Sequence, residues 1–267
     1  MPALIDRLRG KRVGVALSSA FFGFYGHTGF MKALAARGLR PTALAGTSAG
    51  AIVAAFAASD GGLERLEGTL AGLRRRDFWD PGLPRGTGLL KGERFGALLA
   101  RHLPAERFED LDTPLVVVST DLVHRCRRVD TTGPLAPSVL ASCALPLMFR
   151  AVELDGRPHV DGGLLDKVPV RALLERHPLD VLLVHLLPSA SLSGPFPKDP
   201  WRFVNAALDL VRDDAWRLQA AWAETQGVEV IGIETALPRL GPFRLGRGPA
   251  VVDEAEAKVG AVLDAPG

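Results

Sequence analysis

The sequence has few cysteines and no long uninterrupted apolar run. Its two cysteines, Cys126 and Cys143, lie far apart and outside the spacing of metal ligands, which excludes a disulfide framework and a cysteine-rich zinc site. The first residues lack the apolar stretch of a signal peptide, and no run of about 18 apolar residues predicts a membrane-spanning helix. We therefore expect a cytoplasmic protein.

Charge of one sign is also scarce. The 32 basic and 30 acidic residues leave a formal net charge of +2, and no segment concentrates basic residues into a patch. Nucleic-acid-binding proteins usually carry such a patch, so we expect no nucleic-acid partner. By contrast, 47% of the 267 residues are hydrophobic, which is enough for a large core and excludes disorder as the main state.

Short apolar strands alternate with amphipathic helices along the chain. Residues 12–17, 115–120, 181–187 and 228–233 form continuous apolar runs, which are typical of a sheet covered by helices on both faces. We predict an α/β fold with three layers, α/β/α, and a largely parallel central sheet. In this prediction all 267 residues form a single domain, with a lid-like insertion at 63–103.

The segment Gly46-Thr47-Ser48-Ala49-Gly50 lies at a predicted strand-to-helix junction and fits the G-x-S-x-G pattern. In this pattern the serine projects from a strained turn, and the small residues two positions before and after it avoid clashes with the strand and the helix. The positive end of the following helix favours an oxyanion beside the serine. Ser48 is therefore the candidate nucleophile of a nucleophile elbow, with Gly46 and Gly50 as its flanking glycines.

A nucleophilic serine needs a base, and two options are open. No histidine follows His185, although an α/β-hydrolase triad places its histidine last in the chain. His177 and His185 remain candidates for a conventional Ser-His-Asp esterase, but His177 before Pro178 is more typical of a helix end and His185 in an apolar strand of a hydrogen-bonded core residue. The other option is a carboxylate. Asp161 is followed by Gly162 and Gly163, which permit an unusual turn and let another chain approach the carboxylate closely.

Taken together, these motifs resemble the patatin-like phospholipase family of serine acyl hydrolases. The similar segments are RVGVALSS with GHTGFMKAL, the elbow GTSAGAIVAA, STDL at 119–122, and the segment 142–170 that contains Asp-Gly-Gly. They span roughly residues 12–175. The resemblance implies a catalytic dyad, with Ser48 as the nucleophile and Asp161 as the general base, and it implies no metal and no organic cofactor.

One segment departs from the family's pattern. The family has a glycine-rich loop with an arginine after the first strand, and the backbone N–H groups of that loop form the oxyanion hole. Here residues 18–24 are Ser-Ser-Ala-Phe-Phe-Gly-Phe, without the arginine. We expect the hole to use the backbone N–H groups of Ser19, Ala20 and Phe21. We expect apolar side chains to line an acyl pocket, namely Phe21, Phe22, Phe24, Tyr25 and Met148.

The function that the resemblance implies is hydrolysis of a lipid acyl ester, as by a phospholipase or lysophospholipase, through an acyl-serine intermediate. An acyltransferase or thioesterase would use the same dyad, and a catalytically weak lipid-binding protein would keep the fold without a working hole. Peripheral membrane contact is a further expectation, because Arg74, Arg75 and Arg76 precede Phe78 and Trp79 as in interfacial anchors. The sequence predicts no oligomeric state.

Overall fold

A central mixed sheet organises the chain. The computed structural model describes residues 2–82, 88–188 and 199–266. Five parallel strands, in the spatial order β10-β9-β1-β2-β4, make up most of the sheet: β1 (Val13–Leu17), β2 (Ala43–Thr47), β4 (Leu115–Asp121), β9 (Val181–Leu186) and β10 (Glu229–Glu234).

Three antiparallel strands complete the sheet beyond β4. Both β5 (Cys126–Asp130) and β8 (Arg157–Asp161) pair with β4, and β7 (Val152–Leu154) pairs with β8. A separate two-stranded sheet joins β3 (Gly88–Leu90) to β6 (Leu147–Phe149). The antiparallel return of β8 onto β4 brings a distant part of the sequence to the edge where the parallel strands end.

Side chains of the parallel strands alternate between two hydrophobic cores. In β1, Val15 and Leu17 belong to the larger core, and Ala16 between them belongs to the other. All three are fully buried, because helices cover the sheet on both faces. The predicted three-layer α/β/α fold with a largely parallel sheet is therefore confirmed.

Most helices contribute to the larger core. These are α1 (Leu4–Leu8), α2 (Phe24–Ala35), α3 (Ala49–Ala57), α4 (Gly62–Gly72), α5 (Glu93–His102), α6 (Leu135–Ser142) and α9 (Gly248–Asp264). The second core is formed with α7 (Val170–Leu174) and α8 (Pro200–Thr225). None of the helices in the described ranges is long and apolar enough to cross a bilayer.

The segment 63–103, which we expect to be a lid-like insertion, contains α4, β3 and α5. Leu66, Leu70, Leu99 and Leu103 of this segment are buried in the larger core. Its Gly/Pro-rich middle includes residues 83–87, which lie outside the described residues. That the segment moves as a lid stays a prediction.

Candidate active site

Ser48 lies in a sharp turn between β2 and α3. Its backbone has φ 55° and ψ −121°, a combination that L-residues rarely adopt. The turn is tight because strand and helix approach closely: a Cβ at Gly46 would lie 2.4 Å from the carbonyl carbon of Gly50, and a Cβ at Gly50 would lie 2.3 Å from the carbonyl oxygen of Leu17. Only glycine fits at these two positions, and the serine side chain is left partly exposed.

A second serine, Ser142, supports the turn at Ser48 through hydrogen bonds. The backbone N–H of Ser48 donates to the side-chain oxygen of Ser142 over 2.9 Å, and the Ser142 hydroxyl donates to the carbonyl of Val118 over 2.6 Å. Ser142 lies at the end of α6 and is fully buried. This link ties the strained turn to β4. The sequence pattern around Ser142 gave no sign of it.

Sheet register brings Asp161 to Ser48. Two consecutive residues of β4 pair with the ends of its two neighbours. Val118 pairs with Thr47 of β2, and Ser119 pairs with Asp161 of β8. The ends of β2 and β8 therefore meet beside the elbow. The approach again requires glycine, because a Cβ at Gly162 would lie 2.1 Å from the Val118 carbonyl oxygen.

The Asp161 carboxyl is buried, and it interacts with the Ser48 side chain and with the backbone of its own loop. Its Oδ1 accepts a hydrogen bond from the backbone N–H of Gly163 over 2.8 Å. Burial raises the pKa of Asp161 to about 6, against the opposing effects of a hydrogen bond with the Ser48 side chain, the Gly163 N–H and the positive charge of Arg212. A carboxylate with this pKa is a far better match to general-base work near neutral pH than one at about 3.9.

Cys143 is the third polar side chain in this group. It is buried, and burial, followed by the negative charge of Asp161, raises the pKa of its thiol well above the usual value, while a hydrogen bond with the Ser48 side chain opposes the shift. The residue is therefore a protonated thiol beside the nucleophile. A thiolate nucleophile needs the opposite, a lowered pKa.

The long helix α8 contacts the segment that follows Asp161. The Arg212 side chain donates through Nε to the Gly163 carbonyl and through Nη1 to Asp209 over 3.0 Å. Asp213, the next residue of α8, forms an ion pair with Lys167. The sequence analysis missed Arg212, because it lies 49 residues from Gly163 and no local pattern connects the two.

The atypical loop after β1 is fixed at its base. The Ser18 N–H donates to the His185 carbonyl over 3.2 Å, and the Ser19 N–H donates to the Lys167 carbonyl over 2.8 Å. The expectation that Ser19 supplies an oxyanion donor is therefore revised, because its N–H is already engaged. Within the described ranges the N–H groups of Ala20 and Phe21 have no acceptor.

The two histidine candidates do not join Ser48. His185 is fully buried, and its two ring nitrogens bond to His27 Nδ1 over 2.8 Å and to the Thr235 hydroxyl over 3.1 Å. His177 follows α7, and burial lowers its pKa. The structure thus brings Asp161, and neither candidate histidine, to the elbow.

A small apolar cavity of about 50 Å³, partly open to solvent, lies between α2, α3, α4 and α5. Phe24, Ile52 and Phe56 are among its lining residues. Ile52 is four residues after Ser48, one turn along α3. Of the other expected pocket residues, Phe21 is exposed, and Tyr25 is fully buried in the larger core.

A serine in a strained strand-to-helix turn at the carboxyl edge of a parallel sheet has the geometry of a nucleophile elbow. The family model of patatin-like phospholipases matches residues 15–174. The chain belongs to the patatin-like phospholipase family.

Individual relatives agree with this assignment. An uncharacterised NTE family protein of Mycobacterium tuberculosis (strain ATCC 25618 / H37Rv) is 32% identical over 170 residues, which cover 61% of this chain and 47% of that protein. The lysophospholipase NTE1 of Candida glabrata is 25% identical over 178 residues, 63% of this chain and 10% of that protein. The chain therefore spans about half the length of the mycobacterial relative and about a tenth of the length of the Candida glabrata protein.

Among solved structures, VipD from Legionella pneumophila has a similar fold. The TM-score is 0.50 at 15% sequence identity, and the match covers 93% of this chain and 66% of the VipD chain. At this identity the likeness concerns the fold alone.

Proposed function

We propose that this chain hydrolyses acyl esters of lipids, with Ser48 as the nucleophile and Asp161 as the general base. The observation that carries the proposal is the placement of the Ser48 side chain against a buried carboxyl whose pKa is raised to about 6. Neither residue alone indicates a catalytic site. The two side chains come together because of the register of β2, β4 and β8, and the family match adds a lipid substrate class.

In the proposed reaction, Asp161 takes the hydroxyl proton of Ser48 as Oγ attacks the ester carbonyl. The tetrahedral intermediate places its negative charge among backbone N–H groups, for which we propose Ala20, Phe21 and Ala49 at the start of α3. Collapse breaks the bond to the alcohol, which leaves with the proton from Asp161. Water, deprotonated by the same carboxylate, then attacks the acyl-serine and releases the fatty acid.

The apolar cavity between α2 and α5 supports an acyl-chain substrate. Ile52, which lines the cavity, is four residues after Ser48 and therefore about 6 Å from it along the α3 axis. Its lining side chains are aromatic or aliphatic, apart from those of Thr69 and His102. Activity should therefore increase from short-chain to medium-chain esters.

Hydrolysis of p-nitrophenyl esters by variants of matched chemistry tests the proposal. Ser48→Ala and Asp161→Asn should each lose about 10⁴-fold or more in kcat, because the groups act as a unit. Ser138→Ala removes another buried serine hydroxyl, and Asp166→Asn neutralises another buried carboxyl with a pKa raised to about 6; both should keep activity within about threefold.

Three results would count against the proposal. A folded wild type that neither turns over esters nor reacts with a fluorophosphonate at Ser48 would favour the lipid-binding alternative. Activity that survives in Asp161→Asn would move the base elsewhere. Transfer of the acyl group to an added alcohol in preference to water would favour the acyltransferase.

For membrane contact we propose the exposed face of α8. Polar residues Asp209, Arg212 and Asp213 face the segment after Asp161, so the helix turns an apolar face outward. Its solvent-exposed side chains between positions 203 and 211 are all apolar: Phe203, Val204, Ala207, Leu208, Leu210 and Val211. A lipid surface fits this face, since the same helix contacts the loop of the proposed base.

The basic-aromatic segment singled out in the sequence supports this role less well. Phe78 is buried, and the Arg75 guanidinium lies 5.7 Å from the ring centre of Trp79 and 4.8 Å from that of Phe243. These side chains pack on the protein, which is the ordinary explanation for such a cluster.

Sedimentation with phosphatidylcholine vesicles tests the α8 surface. Val211→Asp should weaken binding by about tenfold, because it puts a charge into an otherwise uncharged apolar face. Val262→Asp changes an exposed valine on α9 in the same way and should have no effect. Equal binding by both variants would contradict the proposal, and loss of a concentration-dependent dimer in Val211→Asp would make the face an interface between copies.

A further inference from the structure

Two buried histidines connect the sheet to the atypical loop after β1. His27 on α2 and His185 on β9 are both fully buried, and their Nδ1 atoms lie 2.8 Å apart. At its other nitrogen His27 contacts the Ser18 carbonyl oxygen over 2.8 Å, and His185 contacts the Thr235 hydroxyl over 3.1 Å. The four residues form one continuous hydrogen-bonded chain that no step of the proposed reaction uses.

The chemistry of the partners fixes the direction of this chain. A carbonyl only accepts, so His27 carries its proton on Nε2 and its Nδ1 accepts. His185 must then donate from Nδ1, and its Nε2 accepts from the Thr235 hydroxyl. Both rings are neutral in this arrangement, in agreement with burial, which lowers the pKa of His27 to about 4 and that of His185 well below its usual value.

The ring of His185 is also held sterically. It stacks on Phe30 with 4.3 Å between ring centres and an angle of 8° between the planes. A flip of the ring, which would place carbon atoms where its two nitrogens lie, therefore has to break a stacked contact as well as two hydrogen bonds. The chain has one arrangement of donors and acceptors rather than two.

The hydrogen-bonded chain of histidines ends at a single peptide group at the base of the loop after β1. His27 binds the carbonyl of Ser18, and the N–H of the same peptide, that of Ser19, donates to the Lys167 carbonyl. Both polar atoms of this peptide plane are thus occupied, one by α2 and one by the segment that follows Asp161. The next two N–H groups along the chain are those of Ala20 and Phe21.

We propose that His27 is a positioning residue for the oxyanion loop, with His185 and Thr235 fixing its tautomer. By holding the Ser18 carbonyl, His27 sets the plane of the peptide from which Ala20 and Phe21 extend. The loop has a single glycine, Gly23, and lacks the arginine of its family, and the histidine chain supplies an anchor from outside the loop. The inference rests on the proposed function, because it assigns these N–H groups to the oxyanion.

Nitrogen-15 NMR of the imidazole rings tests the chain without reference to activity. We expect His27 to be protonated on Nε2 and His185 on Nδ1 in the wild type. The opposite tautomer of His27 would overturn the inference, since Nε2 could then make no bond to the Ser18 carbonyl.

Kinetics and amide exchange test the consequence. His27→Phe should lower kcat by about 100-fold with KM changed by less than about threefold, because a displacement of about 1 Å in a catalytic group has an effect of this size. His27→Gln keeps a side-chain N–H donor and should recover at least about tenfold of the loss. Hydrogen exchange at Ala20 and Phe21 should accelerate in the phenylalanine variant.

Thr28→Val is the matched control on the same helix. Its hydroxyl is buried and donates to the Phe24 carbonyl over 2.7 Å, so the variant disturbs α2 without touching the histidine chain. It should leave kcat and loop exchange unchanged. If His27→Phe lowers stability while kcat and loop exchange stay at wild-type values, His27 is merely structural. An inactive wild type would defeat the proposed function, yet the tautomers and the exchange rates would still decide on the inference.

Discussion

Ser48 and Phe22 have the same backbone φ, 55° and 56°, in two loops at the same edge of the sheet, but the two conformations are held in different ways. At the elbow, a strand and a helix enclose a small residue between glycines. In the loop after β1, a large aromatic residue takes a conformation that costs about 1–2 kcal/mol for any residue with a Cβ.

The supports of the two turns explain the contrast. The elbow is held by backbone: close contacts at Gly46 and Gly50, and the Ser48 N–H on Ser142. Phe22 is held by side chains, since its ring centre lies 4.8 Å from that of Phe21, 5.5 Å from that of Phe24 and 6.0 Å from that of Phe78. Backbone packing leaves little freedom for substitution, whereas an aromatic cluster allows gradual change.

The largest effect is expected at the elbow. Gly50→Ala forces a methyl group to within 2.3 Å of the Leu17 carbonyl oxygen and should lower the free energy of unfolding by about 1–3 kcal/mol. Activity should fall by about 100-fold, because the helix that carries the elbow has to move. Denaturant unfolding and ester hydrolysis measure the two quantities.

Gly68→Ala is the control for this substitution. Gly68 is an exposed glycine within α4, and a Cβ there meets nothing within 4 Å. The alanine should raise the free energy of unfolding by about 0.5–1 kcal/mol through helix propensity alone. Equal effects of the two alanines would mean that the elbow is not close-packed, and the contrast with the loop would disappear.

A smaller effect is expected at Phe22. Both Phe22→Ala and Phe22→Gly remove the aromatic contacts, but glycine also removes the strain of a positive φ. The glycine variant should therefore be the more stable of the two by about 1 kcal/mol. Thermal or denaturant unfolding of the pair gives the difference directly.

The order of stability of the alanine and glycine variants should reverse at Phe95, a half-buried phenylalanine in the first turn of α5. There the backbone is helical, so Phe95→Gly should be the less stable of its pair by about 0.5–1 kcal/mol. The same order at both positions would show that φ at Phe22 is not a source of strain.

The two loops also differ in how far the sequence predicts them. The strands are recognisable because parallel strands buried on both faces are continuous apolar runs, and the elbow is recognisable because its glycines are required locally. Asp161 follows from a local Asp-Gly-Gly signal. Its pairing with Ser48 depends on strand register, which the residues near it do not specify.

The loop after β1 could not be derived in this way. His27 lies nine residues from Ser18, but the other residues that hold the loop and its histidine, Lys167, His185 and Thr235, lie more than 140 residues away along the chain and show no shared spacing. The sequence therefore predicts an oxyanion donor at Ser19, whose N–H is engaged, and it favours His185 as a hydrogen-bonded core residue without indicating its partners. Arg212 escaped notice for the same reason, since the contact of α8 with Gly163 is purely tertiary.

The smallest expected effect concerns Arg212 and the pH profile. The proposed base must be deprotonated to accept the Ser48 proton, so kcat/KM should be lost as pH falls through about 6, the pKa of Asp161. Arg212 lowers this pKa with its positive charge. Arg212→Met removes the charge and should move the acid limb to higher pH, by less than about 1 unit because burial and hydrogen bonds dominate the pKa.

Arg217→Met makes the same change at an exposed position of α8 and should leave the limb in place. A limb that moves to lower pH in Arg212→Met would have the wrong sign for a carboxylate base stabilised by a cation. A limb that stays at about 6 in Arg212→Met but disappears in Asp161→Asn would keep Asp161 as the titrating group and reduce Arg212 to a clamp on the Gly163 carbonyl. Because the shift depends on charge and the clamp depends on hydrogen bonds, Arg212→Lys separates the two: it retains the charge and should hold the limb near its wild-type position even if activity falls.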